Sequence, residues 1–204
     1  MDASKVCCTL SESLVATLGL VLVAMAVCRP AVAAEVGQES ELNLVPWPLE
    51  VKASTGHMAL TAKARVVAAD ARLLPLAQVL AEEIHQVTGL KLEAVAGKPR
   101  NGDIALEWDA TLRGERYVLT TSAKRASVRG GTYGAVALGT ATLLQTLAMT
   151  DGKPGLALAV IADEPAAEFR GVMLDLARKY HTIAQIKQIV RLCRLYKVRY
   201  LQLH

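Results

Sequence analysis

Cysteine is nearly absent from this chain. It has four in 204 residues, and three of them (Cys7, Cys8 and Cys28) lie within the first 28 positions. Once that stretch is removed only Cys193 remains, so no internal disulfide is possible. Cys193 falls on an apolar helical stripe, a core position rather than that of a nucleophile. The 14 glycines follow no period, which excludes a collagen-like chain. Charged residues make up 21% against 52% hydrophobic, which excludes a disordered tail. The apolar run Leu14–Cys28 is 15 residues long, short of the roughly 20 that a membrane-spanning helix needs. It is followed by Arg29-Pro30 and by Ala31-Val32-Ala33-Ala34-Glu35, small residues suited to a cleavage site. Residues 1–34 therefore read as a secretory signal peptide, and the mature chain is expected to be exported with no stable membrane span.

Charge is distributed unevenly. A formal net charge of +4 is too small to argue for nucleic acid. Residues 35–168 carry a net −3, whereas residues 169–204 hold eight basic side chains (Arg170, Arg178, Lys179, Lys187, Arg191, Arg194, Lys197, Arg199) against Asp175 alone. Such a segment is either nucleic-acid-seeking or the solvated face of a helix. Ile186, Ile189, Val190 and Cys193 recur at i, i+3, i+4 and i+7, with Lys187, Arg191 and Arg194 outside the stripe. The basic excess thus reads as helix surface, and no nucleic-acid partner is expected. His57 and His85 lack metal-ligand spacing and, with His181, read as surface residues; no metal site is assigned.

The order of elements is legible in outline. Leu44-Val45-Pro46-Trp47-Pro48 is extended, because each proline restricts the residue before it. Short strands are expected at Leu49–Ala53, His57–Leu60, Arg65–Ala68, Leu90–Val95, Asp103–Glu107, Arg116–Thr121, Ala126–Arg129 and Leu156–Ile161. Asp70 can cap a helix through Leu73–Val87 that stops at Gly89. Gly130-Gly131-Thr132-Tyr133-Gly134 opens a second helix, with Val136, Leu138, Thr140, Leu143, Leu144 and Leu147 on its buried side. Its small residues, Gly139 among them, suit a close approach to a sheet. Gly134-x4-Gly139 mimics a phosphate loop, but Thr140-Ala141 follows and the lysine is missing. Asp151–Gly155 reads as a surface loop and Asp163-Glu164-Pro165 as a boundary. Phe169–Ala177 is nearly continuously apolar, as in a parallel strand buried on both faces. Arg178–His181 forms its exit loop, Thr182-Ile183-Ala184-Gln185 is a capping box, and Val198–His204 is a second strand. This is one βαβ unit, which needs several more to bury its faces.

At these residues a family becomes recognisable. Phe-Arg-Gly-Val-Met-Leu-Asp-Leu-Ala-Arg at 169–178, the helix ending Leu195-Tyr196-Lys197, and Leu201-Gln202-Leu203-His204 resemble the barrel opening of family 20 glycoside hydrolases, the β-N-acetylhexosaminidases. Val45-Pro46-Trp47-Pro48, and Gly131-Thr132-Tyr133-Gly134 through Leu143-Leu144-Gln145, resemble the start and second helix of the small domain that precedes that barrel. The expected fold class is α+β: a layered sheet-and-two-helix domain over 35–165, then the incomplete start of a (β/α)8 barrel over 166–204.

Sites on such barrels lie at the carboxyl ends of strands. The resemblance implies that Arg178 binds ring hydroxyls of the terminal sugar, a task suited to a planar fork of donors. It implies that His204 lines the pocket, and Gln202 stands where the family has another histidine. Asp175 either orients neighbouring polar groups or packs structurally, and Arg170, at the far end of the strand, is structural. The implied reaction removes terminal N-acetylglucosamine or N-acetylgalactosamine from glycans by substrate-assisted retention, with no cofactor. The family's Asp-Glu pair belongs to a later strand, and Asp163-Glu164 is not that pair. No catalytic residue is therefore assigned, and the polypeptide is expected to be an inactive fragment of an exported glycosidase. The alternative class is a non-catalytic module that binds carbohydrate or a partner chain.

Overall fold

A computed structural model describes residues 42–204. The expected leader, its cleavage site and Cys7, Cys8 and Cys28 lie outside the described residues. The elements in chain order are β1 (Glu50–Ala59), β2 (Arg65–Ala68), α1 (Leu74–Thr88), β3 (Glu93–Ala96), β4 (Ile104–Trp108), β5 (Tyr117–Thr121), β6 (Ala126–Gly130), α2 (Tyr133–Gln145), β7 (Leu147–Thr150), β8 (Lys153–Asp163), β9 (Gly171–Leu174), α3 (Ile183–Leu195) and β10 (Tyr200–Leu203). The larger sheet runs β1-β8-β5-β6-β4-β2-β3, with β7 paired to β8. Its β6-β4-β2-β3 half is parallel and its β1-β8-β5-β6 half antiparallel. Helices α1 and α2 pack against the sheet and each other, and α3 packs on α2.

The sheet alternates as one covered face dictates. Tyr117, Leu119 and Thr121 of β5, with Ala126, Val128 and Gly130 of β6, are buried while the residues between them are half-exposed. Helix α1 meets that face with Leu76, Ala77, Leu80, Ala81 and Ile84, spaced on one helical side. Gly89, at φ 74°, ends α1 in the left-handed conformation that costs glycine little. Asp70 caps a short 3-10 turn, Ala71–Leu73, rather than α1 itself. Thr132 caps α2 by accepting from the Ala135 amide.

Three expectations are corrected. The expected strands Leu49–Ala53 and His57–Leu60 are one strand, β1, whose register against β8 shifts between Ala53 and His57. Asp151-Gly152 does not belong to an open loop but turns a hairpin that pairs Thr150 with Lys153. Both residues have positive φ, 50° and 71°, as two-residue hairpin turns require. Helix α2 is not buried on one side only: Ala135, Val136, Gly139, Thr140, Ala141, Thr142 and Leu143 are all buried, because the sheet covers one side and α3 leans on another. Leu138 and Leu144 are only half-buried, and Leu147 lies in β7.

Helix α2 approaches the sheet closely at Gly139. A Cβ there would sit 2.9 Å from Cδ2 of Tyr117 and closer still to Val128. Gly139→Ala gains about 1 kcal/mol of helix propensity, but overpacking of this kind costs about 1–3 kcal/mol. A net fall in the chemical-denaturation midpoint is expected, and a rise would contradict the packing described.

Candidate functional site

Strands β9 and β10 are parallel, pairing Gly171 with Tyr200 through Leu174 with Leu203. Helix α3 connects them in a right-length βαβ crossover, and Thr182 and Gln185 form the reciprocal capping box that the sequence announces. The expectation that β9 is buried on both faces is not met among the described residues. Val172 and Met173 are exposed, since two strands and one helix leave both sheet faces largely uncovered. Cys193 is half-buried rather than core, and α3 has no fully buried residue.

The carboxyl ends of the two strands bring together all three residues singled out there. The amides of Leu176 and Ala177 donate to the carbonyl of His204 at 2.7 and 3.1 Å, stitching the loop after β9 across the end of β10. Asp175 Oδ1 accepts from the amides of Ala177 and Arg178 at 3.0 and 3.1 Å, and Oδ2 accepts from Arg178 Nε at 2.5 Å. His204 Nδ1 lies 3.7 Å from Asp175 Oδ1, within ion-pair reach when the imidazole is protonated. The Arg178 guanidinium, helped by the two amides, holds the Asp175 carboxyl below the usual carboxylate range. Asp175 thus bonds Arg178 and stands beside His204. The Arg178 side chain is 85% exposed; with Nε committed to Asp175, its four Nη hydrogens face outward as donors.

Arg170 is structural, as expected. It donates to the carbonyls of Lys197 and Ala167 and pairs with Glu115 at 3.0 Å. The reading of the basic residues as helix surface fails for Arg194 and does not describe Lys197. Arg194 forks onto Glu83 of α1 at 2.7 Å through both Nε and Nη2, and also reaches the Ala137 carbonyl and Thr140 Oγ1 of α2. Lys197 is buried, its Nζ 2.8 Å from the Tyr117 hydroxyl and 2.9 Å from Asp163 Oδ2. Gln145 holds both ends of a second seam, bonding Val45 through its amide and carbonyl and donating to the Leu195 carbonyl. Sequence reasoning missed these couplings; the one clue was the opposite charge of the two segments.

His57 is exposed, whereas His85 and His181 are half-buried, and His85 Nδ1 is enclosed without a hydrogen-bond partner. Among the described residues no cluster of three or more His, Cys, Asp or Glu could hold a metal, and no helix is long and apolar enough to cross a membrane.

Residues 41–164 match the family model described as glycosyl hydrolase family 20, domain 2. The chain belongs to glycosyl hydrolase family 20. It is 25% identical over 173 residues to a β-hexosaminidase of Porphyromonas gingivalis, covering 80% of this chain and 22% of that protein. It is 28% identical over 157 residues to a β-hexosaminidase of Vibrio furnissii, covering 76% of this chain and 25% of that protein. The crystal structure of a Vibrio harveyi family 20 exo-β-N-acetylglucosaminidase bound to N-acetylglucosamine superposes with TM-score 0.71 and 25% identity, over 79% of this chain and 25% of that one. The chain thus spans about a quarter of the length of these family 20 relatives, and its α+β fold is theirs; the parallel β9–α3–β10 unit is compatible with a barrel opening.

Because its folded-state pKa is lowered, the Asp175 carboxylate contributes stability to this family 20 turn above its ordinary value of 3.8, and loses it as pH falls through the lower folded value. Carboxyl NMR titration should place its midpoint below 3.8, and Arg178→Met should return it toward that value. An unchanged midpoint in the variant would show that the guanidinium is not the cause.

Proposed function

We propose that residues 169–204 supply one wall of the sugar site of an exported β-N-acetylhexosaminidase, acting on glycans that end in N-acetylglucosamine or N-acetylgalactosamine. The observation that carries this reading is the junction of Arg178, Asp175 and His204 at the carboxyl ends of two parallel strands in a family 20 chain. Asp175 fixes the guanidinium through Nε and leaves the paired Nη donors for two neighbouring sugar hydroxyls. Lysine, a point charge, does not reproduce that geometry. His204 adds a second polar group beside the same carboxylate.

The chemistry we assign is substrate-assisted retention. The acetamido oxygen attacks the anomeric carbon, forming the ring intermediate as the glycosidic C–O bond breaks. A glutamic acid protonates the departing oxygen, and an aspartate holds the acetamido group. Neither belongs to the strand ends described here. Asp163 is enclosed by Lys197 and Tyr117, and Glu164 lies 3.9 Å from Arg116, which supports assigning that pair a structural role. Loss of a general acid alone costs on the order of 100- to 10,000-fold in rate, so a polypeptide of residues 35–204 is expected to be inactive by itself.

The decisive construction replaces the corresponding segment of the Vibrio harveyi enzyme with residues 42–204. The soluble chimera should release the chromophore from an N-acetylglucosaminide, and Arg178→Ala within it should lower kcat/KM about 10- to 100-fold, the worth of one charge-assisted hydrogen bond. An active chimera indifferent to Arg178→Ala would overturn the assignment. For the leader, N-terminal sequencing of the exported protein should begin at Ala34 or Glu35; retention of Met1 would contradict export by cleavage.

A further inference from the structure

A second set of donors gathers at the amino ends of three parallel strands of the larger sheet, β3, β2 and β4. A cavity of about 500 Å³ opens there, and its charged and polar lining is Lys63, Arg65, Glu93, Arg100 and Asn101. That volume lies in the range of small-molecule sites and is roomier than a bare oxyanion needs.

A buried carboxylate organises the wall. The Asp103 side chain is 1% exposed and accepts from Arg65 Nε at 3.3 Å, from Arg65 Nη2 at 2.6 Å and from the Arg65 amide at 3.2 Å. This fork fixes the guanidinium at the start of β2 and leaves Nη1 as a donor. The same carboxylate accepts from the Arg100 amide at 2.9 Å, and the Asp103 amide donates back to the Arg100 carbonyl at 3.2 Å. The Gly102 amide donates to the Lys124 carbonyl at 2.7 Å, so the loop that carries Arg100 and Asn101 is held at two points. Lys63 sits in a turn closed by the Ala64 amide on the Thr61 carbonyl at 2.9 Å. The backbone of the cavity is thus set before a ligand arrives, which lowers the cost of ordering on binding.

Asp103 already balances Arg65. Lys63 and Arg100 are exposed and outweigh Glu93, so the cavity keeps a surplus of positive charge. We propose that it binds an acidic sugar, with a carboxylate or sulfate group on Arg65 Nη1, Arg100 and Lys63 and ring hydroxyls on Asn101 and Glu93. Hydroxyls both donate and accept, which an amide beside a carboxylate satisfies. The site gives the α+β layer a glycan contact of its own. None of its residues belongs to β9, α3 or β10, so the inference is independent of the sugar-site assignment.

Titration of the chain with glucuronic acid and with glucose 6-sulfate tests it, read by the Arg65 Nε–H NMR resonance and by calorimetry. Neither probe carries an acetamido group, so a failure here leaves the hexosaminidase reading untouched. Both should shift the resonance saturably and glucose should not. Inorganic sulfate, which lacks the hydroxyls, should bind about tenfold more weakly. Arg100→Ser and Lys63→Ser should each weaken binding about tenfold with the denaturation midpoint unchanged, whereas Lys153→Ser, in the β7–β8 hairpin, should have no effect. The chimera, which carries the rest of a family 20 enzyme, should bind glucuronic acid with the same dependence on Arg100. No saturable shift, equal affinity for inorganic sulfate, indifference to Arg100→Ser, or loss of binding in the chimera would each overturn the proposal.

Discussion

One buried carboxylate gathers the chain. Asp163, the last residue of β8, accepts from the Tyr117 hydroxyl of β5 at 2.8 Å, from Lys197 Nζ beyond α3 at 2.9 Å and from the Leu49 amide ahead of β1 at 3.2 Å. Tyr117 extends the network to Thr142 of α2 at 2.6 Å. Burial pushes the Tyr117 phenol up, so it remains a donor to Asp163. A carboxylate withdrawn from water is tolerable only when its lone pairs are taken and a cation balances it. Here both conditions are met by groups from three other segments, and Tyr117 ties in α2, so the placement of five segments including β8 is set by a single constraint.

That constraint bears on the site through one rigid step. Lys197 ends the turn out of α3 and leads within three residues into β10, whose far end is His204. Arg170, just before β9, donates to the Lys197 carbonyl, so the amino ends of both strands are anchored at the same place. Arg178, Asp175 and His204 stand at the opposite ends, on the exposed rim. The chain thus separates two tasks by strand polarity: fixation at the amino ends, presentation of donors at the carboxyl ends, in keeping with the division of labour on parallel barrels.

Local features were legible in the sequence and distant ones were not. The Thr182–Gln185 capping box, strand β2 and the close approach at Gly139 all depend on neighbours within a few residues or on a single small side chain. The Asp175–Arg178 contact is equally local, three residues apart, yet the sequence left Asp175 without an assigned partner. The partners of Arg194 and Lys197 are 111 and 34 residues away, and nothing in a helical stripe distinguishes a lysine in solvent from one that turns inward. Strand β7 was hidden for another reason: Leu147–Thr150 continues directly from α2, so its apolar residues read as the end of the helix, and only the Asp-Gly pair after it marks a hairpin. Strand β9 reads as buried because its sequence is apolar, yet burial belongs to whatever lies beside it.

The central claim is that Asp163 and Lys197 act as one unit whose members are tolerable only together. A double-mutant cycle by chemical denaturation measures this directly. Asp163→Leu and Lys197→Met should each destabilise by about 3–5 kcal/mol, because each strands a buried charge, while the double substitution should cost clearly less than their sum. Strictly additive losses would show that the two residues contribute separately, and that the five segments are not held through their pairing.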